Sequence, residues 1–119
     1  MWKIKKSLLE DLMQSARNYY PDEFMCFLSG NRKKEVIEEF VFLPSTNGKN
    51  FASISVNSIP IDDTIIGSVH SHPSGSVRPS NQDKRLFSKY PVNIIIGTGQ
   101  REVIAVYDNK GEPLKVKFL

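Results

Sequence analysis

The sequence predicts one α+β or α/β domain over residues 1–119, a mixed sheet of about six or seven strands with helices packed on it. Three observations carry that expectation. Short apolar, β-branched runs recur between turn residues, and the strongest is Val92-Asn93-Ile94-Ile95-Ile96-Gly97. Two stretches carry helical spacing instead. A chain of 119 residues with 39% hydrophobic and 24% charged residues is large enough for one core and has the composition of an ordinary globular protein.

Taken in order, residues 7–19 put Leu8, Leu9, Leu12, Met13 and Ala16 on one face of a helix. Ser7 and Glu10 have the spacing of a capping box at its start, and Pro21 ends it. Glu23 then opens a short apolar strand that stops at Ser29-Gly30, before a polar turn at Asn31-Arg32-Lys33-Lys34. Residues 36–43 form a second strand, 44–50 its exit loop, and the alternating 51–56 a third strand. Residues 57–63 make a short helical turn bent by Pro60. Thr64-Ile65-Ile66-Gly67-Ser68-Val69 reads as a buried strand running into His70, and 80–89 as the second helix. The strand at 92–97 looks central. Residues 102–107 and 114–118 flank Asp108-Asn109-Lys110-Gly111-Glu112, a hairpin turn with glycine where a positive φ is expected.

A net charge of +3 without any polybasic tract or aromatic-interleaved basic patch gives no support to a nucleic-acid partner. No apolar run approaches membrane-spanning length and the first residues are not a signal peptide, so the expectation is a cytoplasmic protein with no membrane partner. The single cysteine, Cys26, excludes an intrachain disulfide framework and a four-cysteine zinc site. Within Phe24-Met25-Cys26-Phe27-Leu28 it is expected to be a small buried hydrophobe rather than a nucleophile.

The chemistry concentrates in residues 69–83. Both histidines of the chain, His70 and His72, lie two residues apart at the end of a strand pattern. Alternation sends them to the same face, where two imidazoles can converge on one metal ion. A Pro-Ser-Gly-Ser loop leads on to Ser80-Asn81-Gln82-Asp83 at the next helix, which returns a hydroxyl and a carboxylate toward them. Two nitrogens, one oxygen and an open fourth position suit catalytic zinc. Ser80 and Asp83 are also spaced as a capping box with Asp in place of Glu or Gln, and the two roles are compatible. Hydrolysis of an amide further needs a carboxylate to take a proton from water and hand it to the leaving amine. Spacing alone selects none of the thirteen acidic residues. Glu23 has one physical argument in its favour: at the mouth of an apolar strand, desolvation favours proton uptake. Asp22 is its neighbour but alternates to the opposite face.

His70-Ser71-His72, seven residues, then Ser80-Asn81-Gln82-Asp83 resembles the JAMM (MPN+) metalloprotease signature H-S/T-H-x7-S-x2-D in residues and gaps. The segment from Pro21 to Gly30 is similar to that family's Glu followed by a short apolar strand ending in Gly. The chain looks especially like the minimal archaeal members, over nearly its full length. The resemblance implies a cytidine-deaminase-like architecture and a zinc isopeptidase that removes ubiquitin-like modifiers from lysine. It implies that His70, His72 and Asp83 hold Zn²⁺, that Glu23 is the general acid/base and that Ser80 stabilises the oxyanion. The insertions with which eukaryotic relatives grip two ubiquitins have no room here. Recognition is therefore expected to centre on an extended C-terminal Gly-Gly tail, bound by β-augmentation with help from the loop of Ser74 to Arg78. Rival readings are the trimming of linear extensions from sulfur-carrier β-grasp proteins and a module that binds such proteins without cutting them. Nucleobase deamination would need H-x-E and P-C-x-x-C elements that the chain lacks.

Overall fold

Two opposed apolar faces organise the chain, and one strand supplies both. In β2 (Met25–Asn31) and the residue before it, Phe24, Cys26 and Leu28 point one way while Met25 and Phe27 point the other. The computed structural model describes residues 1–42 and 63–119. The other elements are β1 (Lys3–Ile4), α1 (Lys6–Tyr19), β3 (Val36–Val41), β4 (Ile65–His72), α2 (Asn81–Phe87), β5 (Val92–Gly97), β6 (Val103–Tyr107) and β7 (Lys117–Phe118). Among the described residues the strands form one seven-stranded sheet in the order β6-β5-β4-β2-β3-β1-β7.

The larger core lies on the α1 face. Leu8, Leu12 and Ala16 of α1 are buried there against Phe24, Cys26, Leu28, Val69, Ile94 and Ile96. On the other face Met25 and Phe27 meet Leu86 and Tyr90 at and beyond the end of α2. Strands β4 and β5 are parallel and α2 is the crossover between them. β2 is antiparallel to β4, with Met25 opposite His70. Since β2 and β4 are covered on both faces, consecutive residues are buried along most of each, the polar Ser68, His70 and Ser71 of β4 included.

Several expectations need correction. α1 starts at Lys6 with Lys5 as N-cap and no side-chain cap, so Ser7 and Glu10 form no capping box. The reason is tertiary: the Lys6 N–H donates to the Leu119 carbonyl, and the chain enters the helix directly from β1. β5 is one strand in from an edge rather than central, yet buried throughout, because both faces are covered. Residues 114–118 do not return along β6 as a hairpin. The turn forms, with Gly111 at φ 78°, and Leu114 N donates to Val106 O. The chain then leaves for the opposite edge, where β7 pairs in parallel with β1. From Leu114 to Lys117 the chain spans at most about 11 Å, so the sheet must curl to bring its edges together. β1 was not anticipated at all, being only two residues long. The expected exit loop, the third strand at 51–56 and the turn at 57–62 lie outside the described residues, as does Leu43 of the second strand. No helix among the described residues is long and apolar enough to cross a membrane.

Candidate metal centre

Both histidines belong to β4 itself, at its C-terminal end and on the α2 face. His70 is fully buried and His72 partly so. Their Nε2 atoms face one another at 3.0 Å, with ring centroids 4.7 Å apart. Asp83 closes the group, its Oδ1 3.4 Å from His70 Nε2 and its Oδ2 3.5 Å from His72 Nε2.

His72 and Asp83 are each held from outside the group. His72 Nδ1–H donates to the Ser76 carbonyl at 2.9 Å, which leaves the Nε2 lone pair pointing at the group. Ser76 can reach because the loop after β4 turns back on itself. Gly75 N and Thr98 N both donate to His72 O, at 3.0 and 3.1 Å, and Gly75 takes a φ of 86° that only glycine adopts without strain. Asp83 is fixed by a complete capping box: its backbone N–H donates to Ser80 Oγ at 3.0 Å, and Ser80 N–H donates to Asp83 Oδ2 at 2.8 Å. The capping role anticipated for Ser80 and Asp83 is therefore real, and the same geometry turns the carboxylate toward the imidazoles.

The electrostatics of the group call for a cation. Burial works against an ionised Asp83 but is outweighed by the two imidazoles and the Ser80 N–H, which hold the carboxyl well below the usual carboxylate range. Desolvation pushes His70 down and favours its neutral form, against the opposing pull of Asp83. His72 is pushed up, first by its contact with Asp83 and then by the Ser76 carbonyl. Two ring nitrogens at 3.0 Å with their lone pairs converging need a proton or a metal ion between them. Zinc with ligands at about 2.0–2.1 Å in tetrahedral array would set donor–donor separations near 3.3 Å, close to those found. The donor set fits the ion. His70, His72 and Asp83 are also the one group of three potential ligands that comes together among the described residues.

Glu23 does not lie in β2, as expected, but two residues before it. The pairing with β4 nevertheless continues past the end of β2: Phe24 N–H donates to Ser71 Oγ at 2.7 Å and Ser71 N–H to Phe24 O at 2.9 Å. By alternation from Met25, which lies opposite His70, Glu23 falls level with His72 on the histidine face. Its negative charge acts on both imidazoles. Asp22 is exposed in the turn after α1, its N–H donating to the Tyr19 carbonyl at 2.7 Å, so strand alternation does not decide its face.

Cys26 is fully buried on the α1 face, and burial pushes its thiol up, so it packs the core as expected. Sequence reasoning gave Ser71 no role of its own and gave Ser76 none toward the histidines. Ser71 stood in the motif, but its partner, the Phe24 N–H, depends on strand order. Ser76 acts through its backbone carbonyl, which leaves no signal in residue type. An open cleft of about 470 Å³ lies beside the loop after β4, lined by Tyr20, Pro73, Gly75, Thr98 and Arg101 among others and by none of the three potential ligands.

Residues 5–109 match the family Prok-JAB, prokaryotic homologues of the JAB domain. The chain is 30% identical to a solved structure described as JAMM, a metalloprotease-like zinc site in the proteasome and signalosome. The superposition covers 100% of this chain and 98% of that one, with a TM-score of 0.74. It is 31% identical to a JAB1/MPN domain protein from Archaeoglobus fulgidus, covering 100% of this chain and 97% of that one at a TM-score of 0.75. It is also 29% identical over 104 residues to a probable metalloprotease of Haloferax volcanii, a match that takes in 80% of this chain but only 65% of that protein.

Proposed function

Since the chain belongs to the JAMM family, within its prokaryotic JAB-domain branch, we propose that it is a zinc-dependent isopeptidase. The substrate class we propose is a ubiquitin-like modifier joined through its C-terminal Gly-Gly to a lysine, cleaved at that bond. The domain would be residues 1–119, acting in the cytoplasm. The observation that carries this reading is the convergence of His70 Nε2, His72 Nε2 and the Asp83 carboxylate.

When bound by His70, His72 and Asp83, zinc supplies Lewis-acid polarisation and brings the pKa of water to about 7. The rest falls to side chains. Asp83 stays ionised in the first turn of α2, where the capping box fixes it. Ser76 holds His72 in the tautomer that presents Nε2. Glu23 takes the proton of the attacking water and later delivers it to the departing lysine amine, one group serving as base and then acid. Ser80 Oγ already accepts from the Asp83 N–H, which leaves its own hydrogen to donate to the oxyanion that forms on the substrate carbonyl. The loop of Ser74 to Arg78 is where the modifier's extended tail would be held.

The test is cleavage of a β-grasp modifier conjugated to lysine, alongside a linear fusion of the same modifier, with and without chelator. The reading expects release from the conjugate, lost on chelation and restored by zinc. Release from the fusion alone would make the protein a trimming protease. Binding of the modifier without cleavage, indifferent to chelator, would make it a recognition module.

A further inference from the structure

Tyr107 stands on β6, two strands away from the histidines, and carries no motif signal. Its surroundings are nevertheless those of the metal centre. The hydroxyl donates to the Val77 carbonyl, the next one along the chain from the Ser76 carbonyl that accepts from His72 Nδ1. The ring stacks on Phe87 with centroids 5.9 Å apart and planes at 23°. Phe87 in turn lies 6.2 Å from the His70 ring and one helical turn after Asp83 on the same side of α2.

We propose that Tyr107 is a positioning residue for zinc: its hydroxyl pins the 76–77 segment, so that Ser76 keeps His72 in its ligating tautomer, while its ring backs Phe87 against His70. The inference rests on the zinc reading above. The logic is leverage. The loop from Pro73 to Pro79 carries two short-range side-chain bonds of its own, Ser76 N to Ser74 Oγ and Arg78 N to Ser76 Oγ. Both lie within the loop, and neither ties its middle to the sheet. The His72 carbonyl anchors only the first half of the loop, accepting from the Gly75 N–H and, just past β5, the Thr98 N–H; among the described residues the Tyr107 hydroxyl is the tie from residue 77 to a strand. Removing it leaves the Ser76 carbonyl free to swing, and His72 free to turn its Nε2 away. Second-layer partners of metal-bound histidines typically matter about 10–100-fold for metal affinity.

The experiment is zinc competition against a chromogenic chelator for the wild type, Tyr107→Phe and Tyr90→Phe. It is accompanied by ¹⁵N shifts of the histidine rings in the metal-free proteins at alkaline pH. Tyr107→Phe keeps the ring on Phe87. It is expected to bind zinc at least about tenfold more weakly and to show His72 shifted away from the Nδ1–H tautomer. Tyr90→Phe removes a hydroxyl elsewhere on the α2 face and is expected to match the wild type. Wild-type zinc affinity and His72 shifts in Tyr107→Phe would overturn the assignment, as would an equal loss in Tyr90→Phe. A Tyr107→Phe chain that no longer folds would also overturn it, by making the hydroxyl a folding contact. A wild type that takes up no zinc would instead remove the functional reading itself.

Discussion

His72 is claimed from two sides, by the Asp83 carboxylate at Nε2 and the Ser76 carbonyl at Nδ1, and both favour its protonated form. Zinc must displace that Nε2 proton. His70 is pushed toward neutrality and Asp83 toward ionisation, so near neutral pH the remaining proton competition falls on His72. The zinc association constant is therefore expected to rise with pH, about tenfold per unit below the folded pKa of His72, and to level off above it. Chelator competition between about pH 5 and 9 reads this directly, and a flat profile would take His72 out of the ligand set. The sign for metal-free stability is opposite. A raised histidine contributes fully below its unfolded value of about 6.5 and loses that contribution as pH climbs through the higher folded value. Two substitutions separate the remaining roles. Glu23→Gln is expected to retain one zinc per chain and lose about 10²–10⁴ in turnover, measured by metal analysis beside single-turnover cleavage. Ser80→Ala is expected to cost about 1 kcal/mol of stability as a lost cap, yet about a hundredfold or more in turnover as a lost oxyanion donor. A change confined to stability would leave Ser80 only its cap.

At the scale of elements, the site depends on how a seven-residue helix is clamped. The capping box holds the start of α2, and Asn93 on β5 holds its end. Asn93 Nδ2 donates to Tyr90 O at 2.9 Å, and its Oδ1 accepts from Ser68 Oγ at 2.6 Å. The capping box was legible because Ser-x-x-Asp is a local pattern, whereas the C-terminal clamp was not, because it joins residues from two other strands. The same contrast explains the helix start. Ser7 and Glu10 offered an equally good local pattern, but the Lys6 N–H found Leu119 O, and the long-range partner set the boundary. Gly97 tests the third clamp, between β5 and the loop after β4. A Cβ there would meet the Gly75 carbonyl oxygen at 2.4 Å and its carbon at 2.9 Å, both backbone atoms. Gly97→Ala is expected to push the loop off β5, lowering the melting temperature and weakening zinc binding together. Unchanged binding would mean that the loop can shift without dragging Ser76 away from His72.

Across the whole molecule, the chemistry sits where a parallel pair with a helical crossover leaves a crevice, at the carboxyl end of β4 and the amino end of α2. The convergence of His70, His72 and Asp83 was readable from residues 70–83, since alternation and a fixed gap are one-dimensional signals. Closure of the sheet was not. The β6–β7 connection looked like a hairpin, and nothing local says that residues 114–118 should leave β6 for β1. They do so because Leu114 and Val116 pack onto the main core and because β1, at the other edge, is available to β7. That core lies on the α1 face and includes none of the three ligands, so the metal-free chain should hold its fold. Zinc would then join β4 to α2 in the native state alone and stabilise the protein by mass action. Free zinc at about 100 times its dissociation constant adds about 2.7 kcal/mol. With an unfolding entropy of about 2.1 cal/mol/K per residue, a chain of 119 residues should melt on the order of 10 °C higher. His72→Ala should abolish that rise while the metal-free melting temperature stays near that of the wild type. Calorimetry showing an equal zinc-induced rise in His72→Ala would place the ion somewhere other than between β4 and α2.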